Sequence, residues 1–164
     1  MTDHLDWRGY DFSALPVCTR GTYWADADLR GANSPVRDWT NAYARGANFA
    51  RASLVGSDFC SAYLGAANFT NADLTGVCFE LAALTRAKFH GAKLPHISAF
   101  TQAFVGKGDP EAIAKKSGLP LDYVLHAQAT SLPIVEGCEA AGTQSPYRIM
   151  DEGADDPMTE ALDA

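Results

Sequence analysis

With 164 residues, 47% of them hydrophobic, and a net charge of −7, the chain has material for one modest core with appendages. No apolar run approaches the roughly 18 residues of a membrane span, and MTDHLDWRGYDF lacks the basic start and apolar stretch of a secretory signal. Four cysteines without a CxxC pair argue against a disulfide framework or a zinc site. A cytoplasmic protein with no membrane association is therefore expected.

Residues 1–24 open with Trp7 and Phe12 five apart, and the rhythm slips between Pro16 and Thr22. This segment reads as an imperfect first coil that covers the N-terminal end of the segment starting at residue 25.

From Leu29 the chain counts in fives. Apolar centres fall at Phe49, Leu54, Phe59, Leu64, Phe69, Leu74, Phe79, Leu84, Phe89 and Leu94, and the same frame catches Leu29, Ser34, Trp39 and Ala44. Two places before each centre stands a small residue, except at Arg37 and Val77. A fixed period marks a repeat architecture in which each unit stacks on its neighbours. The units ADLRG, ANFAR, ANFTN and ADLTG resemble the A-(D/N)-L-x-x motif of the pentapeptide-repeat family. The resemblance covers about residues 25–97. It implies an all-β solenoid, a right-handed quadrilateral β-helix with four pentads to a coil of twenty residues. The centre and the residue two before it would point inward. Phe49, Phe69 and Phe89 then stack in one column, with Phe59 and Phe79 in the opposite one. Leu54, Leu74 and Leu94 form a third column, and Leu64 and Leu84 the fourth.

The stretch GANSPVRDW breaks the pattern, placing Ser34 at a centre and Arg37 at an inward position. Because an unpaired buried guanidinium is costly, a bulge or loop that turns Arg37 outward is expected. Past Leu94 the pattern decays, with Phe104 still in frame, and the β-helix is assigned to residues 25–104. Residues 105–138 read as a helical hairpin. Asp109 caps a helix with Pro110 at its first position, Gly118 ends it, and Pro120 begins a second. Ile113, Leu119, Leu121, Val124 and Leu125 must be buried, either as a cap on the solenoid or across a homodimer. Residues 139–164, rich in Gly, Ala and Asp, read as a disordered acidic tail. AIAKKSGLPLDYV has the spacing of a helix-turn-helix, but LPLDYVLHAQA offers no Lys or Arg for phosphates. Electrostatics oppose direct nucleic-acid binding.

Charge is unevenly distributed: residues 25–98 sum to +1, while residues 99–164 sum to −7. Two outward surfaces stand out. Asp38, Asp58 and Glu80 share one face, on which no outward base falls. Tyr43 and Tyr63 lie one coil apart on another, with Arg45 and Arg86 nearby. Cys60 and Cys78 fall on one face in adjacent coils, their Cα atoms about 8 Å apart and outside normal disulfide reach. The histidines show no metal spacing, so no catalytic residue, cofactor or metal is expected. The residues point to a non-enzymatic module that binds or scaffolds a protein partner. The alternatives are a DNA-mimicking regulator of DNA gyrase or topoisomerase IV, of the quinolone-resistance type that the family resemblance implies, and a structural component of a larger assembly.

Overall fold

The computed structural model describes residues 5–14 and 19–131. The expected acidic tail at 139–164, and the end of the hairpin segment at 132–138, lie outside the described residues. The chain turns through coils of twenty residues. Parallel bridges join Asp28 to Asn48 to Asn68 to Lys88, and the other three sides repeat the pattern. Each side holds one bridged residue. A side of five residues that includes a corner cannot hold more, so the described residues contain isolated bridges and no strand. Between coils the inward amide donates to the carbonyl nineteen residues ahead: Leu29 to Asn48 at 2.8 Å, Phe49 to Asn68 at 2.7 Å.

Each corner is a four-residue turn. The amide of Ser57 donates to Leu54 at 3.0 Å, and Gly56 between them has φ +68°. A left-handed third residue is the requirement of a type II turn, which glycine and asparagine meet at least cost. Gly31, Gly46, Gly76, Gly91, Asn41 and Asn71 meet it, whereas Arg51, Ala66, Leu81 and Arg86 adopt the same φ as ordinary L-residues. Such residues cost roughly 1–2 kcal/mol each, a cost offset by the ladder on either side of the corner.

The expected inward columns form. Phe49, Phe69 and Phe89 stack at 5.1 and 5.3 Å, and Trp39, Phe59 and Phe79 stack at 5.5 and 5.7 Å. The two columns meet edge to face across the interior, as Phe49 does with Phe59 at 5.7 Å. Ser34 and Ala44, the small centres, are buried beneath larger ones. Phe12 lies over Ser34 through the Asp11–Asn33 bridge, and Trp24 lies over Ala44 through the Tyr23–Tyr43 bridge. Bulk is exchanged between coils so that the interior stays filled.

Three expectations are corrected. GANSPVRDW contains no bulge: Asn33 pairs with Ser53 and Asp38 with Asp58, both twenty apart. Instead the corner is relayed through a hydroxyl, with Ser57 Oγ accepting from the Arg37 amide (3.1 Å) and donating to the Ser34 carbonyl (2.7 Å). Arg37 does not swing out to solvent either. It stays half-buried, donates to the Phe12 carbonyl and lies 5.7 Å from the Phe12 ring centre. The N-terminal slip makes this possible, because residues 6 and 11 pair twenty-two residues ahead and bring that carbonyl over the guanidinium. At the other end Phe104 is out of frame. One extra residue makes Ala83 pair with Phe104, so Phe100 and Val105 take the inward places and Phe100 packs on Phe79 at 5.2 Å.

The last coil is covered by α1 (Pro110–Ser117) and α2 (Leu121–Thr130). Asp109 caps α1, accepting from the Glu111 and Ala112 amides, and Gly118 closes it at φ +77°. The helices satisfy edge groups that a further coil would otherwise satisfy. The Phe89 amide donates to the Ser117 carbonyl at 2.6 Å, Tyr123 Oη donates to the Pro95 carbonyl at 2.9 Å, and the Gln102 amide donates to Thr130 Oγ1 at 2.9 Å. Leu119, Val124 and Ala127 close the apolar interior.

Gly118 carries two constraints, since a Cβ there would stand 2.6 Å from His90 Nδ1 and 2.8 Å from the His90 backbone nitrogen. Gly31, with a similar φ of +68°, faces open space. Gly118→Ala should therefore lower stability by about 2–4 kcal/mol, and Gly31→Ala by only about 1 kcal/mol. Chemical denaturation of the two variants checks this, and equal losses would remove the packing role given to His90.

Candidate functional site

The outward residue just before each centre sits at the bridge, and its side chain has a local task. Asp58 Oδ1 accepts from the Cys60 amide at 2.9 Å, and Asp73 Oδ1 from the Thr75 amide at 3.1 Å. Asn48 and Asn68 do the same for Ala50 and Thr70. These side-chain turns account for the Asp or Asn of the repeat. They also limit what the carboxylates offer a partner.

On the acidic face Asp38 and Asp58 are bridge partners, while Glu80 stands two residues after Cys78, which continues their row. Arg20 comes to 3.9 Å from Asp38, supplying the base that the sequence frame does not place there. Thr40 Oγ1 donates to Asp38 Oδ1 at 2.5 Å, and this hydrogen bond holds the Asp38 carboxyl below its ordinary range against the opposing effect of burial. The row of negative charge is therefore short and partly neutralised.

The aromatic face is longer than the pair expected from the sequence. Tyr23, Tyr43 and Tyr63 are successive bridge partners, and Phe104 continues the column past Ala83. The Tyr43 and Tyr63 rings are parallel within 3° at 4.6 Å. Tyr23 is 74% exposed and Tyr43 44% exposed. Burial, with Tyr43 beside it, pushes the Tyr63 hydroxyl up. Arg45 and Arg86 occupy the two turn positions after the centres of this column, and the Arg45 side chain runs past Gly65. Sequence reasoning misses Tyr23 because it lies before the regular coils, although it stands twenty residues before Tyr43.

Among the hairpin residues, Leu119 and Val124 are buried and Ile113 is packed against the same core. Leu121 and Leu125, one turn apart on α2, are 40% and 47% exposed. A groove of about 540 Å³ on another side is lined by Arg8, Arg30, Arg51, Asn48, Asn68 and Asn71. Arg8 pairs there with Asp6 at 2.6 Å and Arg30 with Asp28 at 2.7 Å, so two of the three lining arginines are already in ion pairs.

Several of these carboxyls titrate below their ordinary value when folded. The first cause is a side-chain hydrogen bond in each case: from Ser13 to Asp11, Arg30 to Asp28, Thr40 to Asp38 and Thr75 to Asp73. The stability they contribute is complete above the unfolded carboxylate value of about 3.9 and is lost as pH falls through the lower folded values. Stability should thus fall on acidification below about pH 4. Asp73→Asn, which keeps the accepting oxygen, should shrink the difference between denaturation midpoints measured at pH 6 and pH 3. An unchanged difference would exclude Asp73 from the effect.

The family model for pentapeptide repeats matches residues 38–65 and 62–97, with eight copies. Similar solved structures include the pentapeptide repeat protein Rfr23 from the cyanobacterium Cyanothece 51142, at 23% identity and TM-score 0.34, covering 46% of this chain and 48% of that one. A pentapeptide repeat protein of the Arabidopsis thaliana thylakoid lumen is 25% identical, with TM-score 0.34, covering 65% of this chain and 90% of that one. QnrB1, a plasmid-mediated fluoroquinolone resistance protein, is 25% identical with TM-score 0.31 over 54% of this chain and 46% of that one. The chain thus spans about half the length of Rfr23 and of QnrB1. No curated protein sequence matches it. The five-residue period, the coils of twenty and the family model agree that residues 38–97 of this chain are pentapeptide repeats.

Proposed function

We propose that this chain is a non-enzymatic protein-binding or scaffolding module of the cytoplasm, built on a right-handed quadrilateral β-helix, with the tyrosine column as its partner surface. The observation that carries this reading is the outward run Tyr23, Tyr43 and Tyr63, two of its rings held parallel at 4.6 Å. Rings fixed by a ladder lose little freedom on binding, and tyrosine beside arginine is the composition of interface hot spots. Most other outward groups are committed to turns or ion pairs. A homodimer through residues 105–138 fits the same reading, with Leu121 and Leu125 as its apolar contact.

The alternative, a mimic of DNA acting on gyrase or topoisomerase IV, needs carboxylates in a continuous row, since a duplex carries about one charge per 1.7 Å of axis. The row here stops at Asp38 and Asp58, because Cys78 comes next in it.

Tyr43→Asn with Tyr63→Asn tests the reading, since Asn is the repeat's own residue at that position and keeps the fold. Proteins captured from a bacterial lysate by the tagged wild-type chain should drop at least about tenfold with the variant, at an unchanged thermal midpoint. Equal capture would sink the tyrosine surface. Inhibition of purified gyrase by the wild-type chain, abolished by Asp38→Asn with Asp58→Asn, would replace this reading with the mimic.

A further inference from the structure

The bridge that joins Asp58 to Cys78 brings two thiols and a carboxylate together. Cys60 lies two residues after Asp58, and Cys78 is the residue stacked on Asp58 in the next coil. Two Sγ atoms and a carboxylate oxygen lie within 4.8 Å of one another, on side chains that are all half-buried. The twenty-residue coil already puts Cys60 and Cys78 on one face in adjacent coils; the structure adds Asp58 and the closeness of the three donor atoms.

The repeat itself does not account for Cys78. Its position calls for an oxygen acceptor, and elsewhere Asp or Asn accepts the amide two residues on at about 3 Å. Cys78 Sγ stands 3.5 Å from the Glu80 amide, and a thiol is a weak acceptor. Here a good turn residue has been exchanged for a poor one, at the place where the exchange completes a soft donor set.

We propose that Asp58, Cys60 and Cys78 form a binding site for a thiophilic divalent cation of the zinc and cadmium class, with the Glu80 carboxylate or water as fourth ligand. Glu80 holds the next-coil equivalent of the Cys60 position, so the four residues occupy a two-by-two block of the ladder. Metal bonds of about 2.3 Å to sulfur and 2.0–2.2 Å to oxygen place tetrahedral ligand atoms roughly 3.5–3.8 Å apart. The donor atoms lie within 4.8 Å of one another, so a contraction of about 1 Å brings them to that separation. Two thiolates and one carboxylate are a donor set that selects zinc-like ions over magnesium or calcium. Metal–sulfur bonds form to thiolates, so a proton held by either thiol passes to solvent as its bond to the ion forms.

The test uses the full, reduced chain titrated with Cd²⁺ and tracked by thiolate-to-metal charge-transfer absorbance. One equivalent should bind, with the absorbance of two thiolates. Cys78→Asn restores the residue type of the repeat and so tests the site without loss of fold; it should weaken binding at least about 100-fold. Cys60→Ser should do the same. Replacing Cys18 and Cys138 by Ser should leave the titration unchanged. Saturating Zn²⁺ should also raise the thermal midpoint of the wild-type chain and leave that of Cys78→Asn unmoved. Stoichiometric binding retained by Cys78→Asn, or lost when only Cys18 and Cys138 are replaced, would overturn the proposal.

Discussion

Everything in this structure depends on one hydrogen bond, the donation from each inward amide to the carbonyl nineteen residues ahead. It fixes the coil at twenty residues, and a coil of twenty with four corners leaves five residues to a side. An insertion of one residue in any side would shift every later side chain by a place. The C-terminal end shows this, where a single extra residue moves Phe104 out of frame and brings Phe100 and Val105 in. The N-terminal end shows it too, with an offset of twenty-two at Asp6 and Asp11. Between these ends the register holds without a break. The irregular sequence around Arg37 is absorbed by one serine hydroxyl rather than by a change in length.

The same ladder decides which polar groups are free. An Asp or Asn at the bridge spends one acceptor on the amide two residues ahead, so its position in the repeat answers to the turn before it answers to any partner. This is why a surface with several carboxylates presents so little usable negative charge. Function has to come from outward positions where the turn's preference has been given up. Tyrosine at 23, 43 and 63 cannot serve as a turn acceptor at all, and cysteine at 78 serves poorly. These departures carry information that the repeat cannot.

The period, the inward columns and the helix caps at Asp109 and Gly118 are all legible in the sequence, because each depends on local residue type at fixed spacing. Arg37 is not. The cost of burying it is plain from residue type alone, but its solution lies in the Phe12 carbonyl, and that group reaches it only through a slip in another coil. The frame of Phe104 is lost for a similar reason, since a decaying pattern gives no signal for a one-residue insertion. Arg20 reaches Asp38 unannounced because it belongs to the irregular coil, where position cannot be had from counting. In the site region, the three-membered tyrosine column is open to simple subtraction, whereas the Asp58, Cys60 and Cys78 cluster requires side-chain positions.

The two ends of the repeat segment are closed by different physics, and this separates stability from recognition. At the N-terminal end aromatic bulk does the closing, with Trp7, Phe12 and Trp24 mutually packed within about 6 Å. At the C-terminal end two helices do it, with backbone carbonyls and hydroxyls standing in for the missing coil. A helix that closes an end must bury one side only, so its opposite side is unconstrained by the repeat. Leu121 and Leu125 lie on that side of α2, and their exposure is not explained by closure. The cap thus has residues enough for a second task, as the coils do, and in both places the surplus is found by asking which side chains the fold does not need.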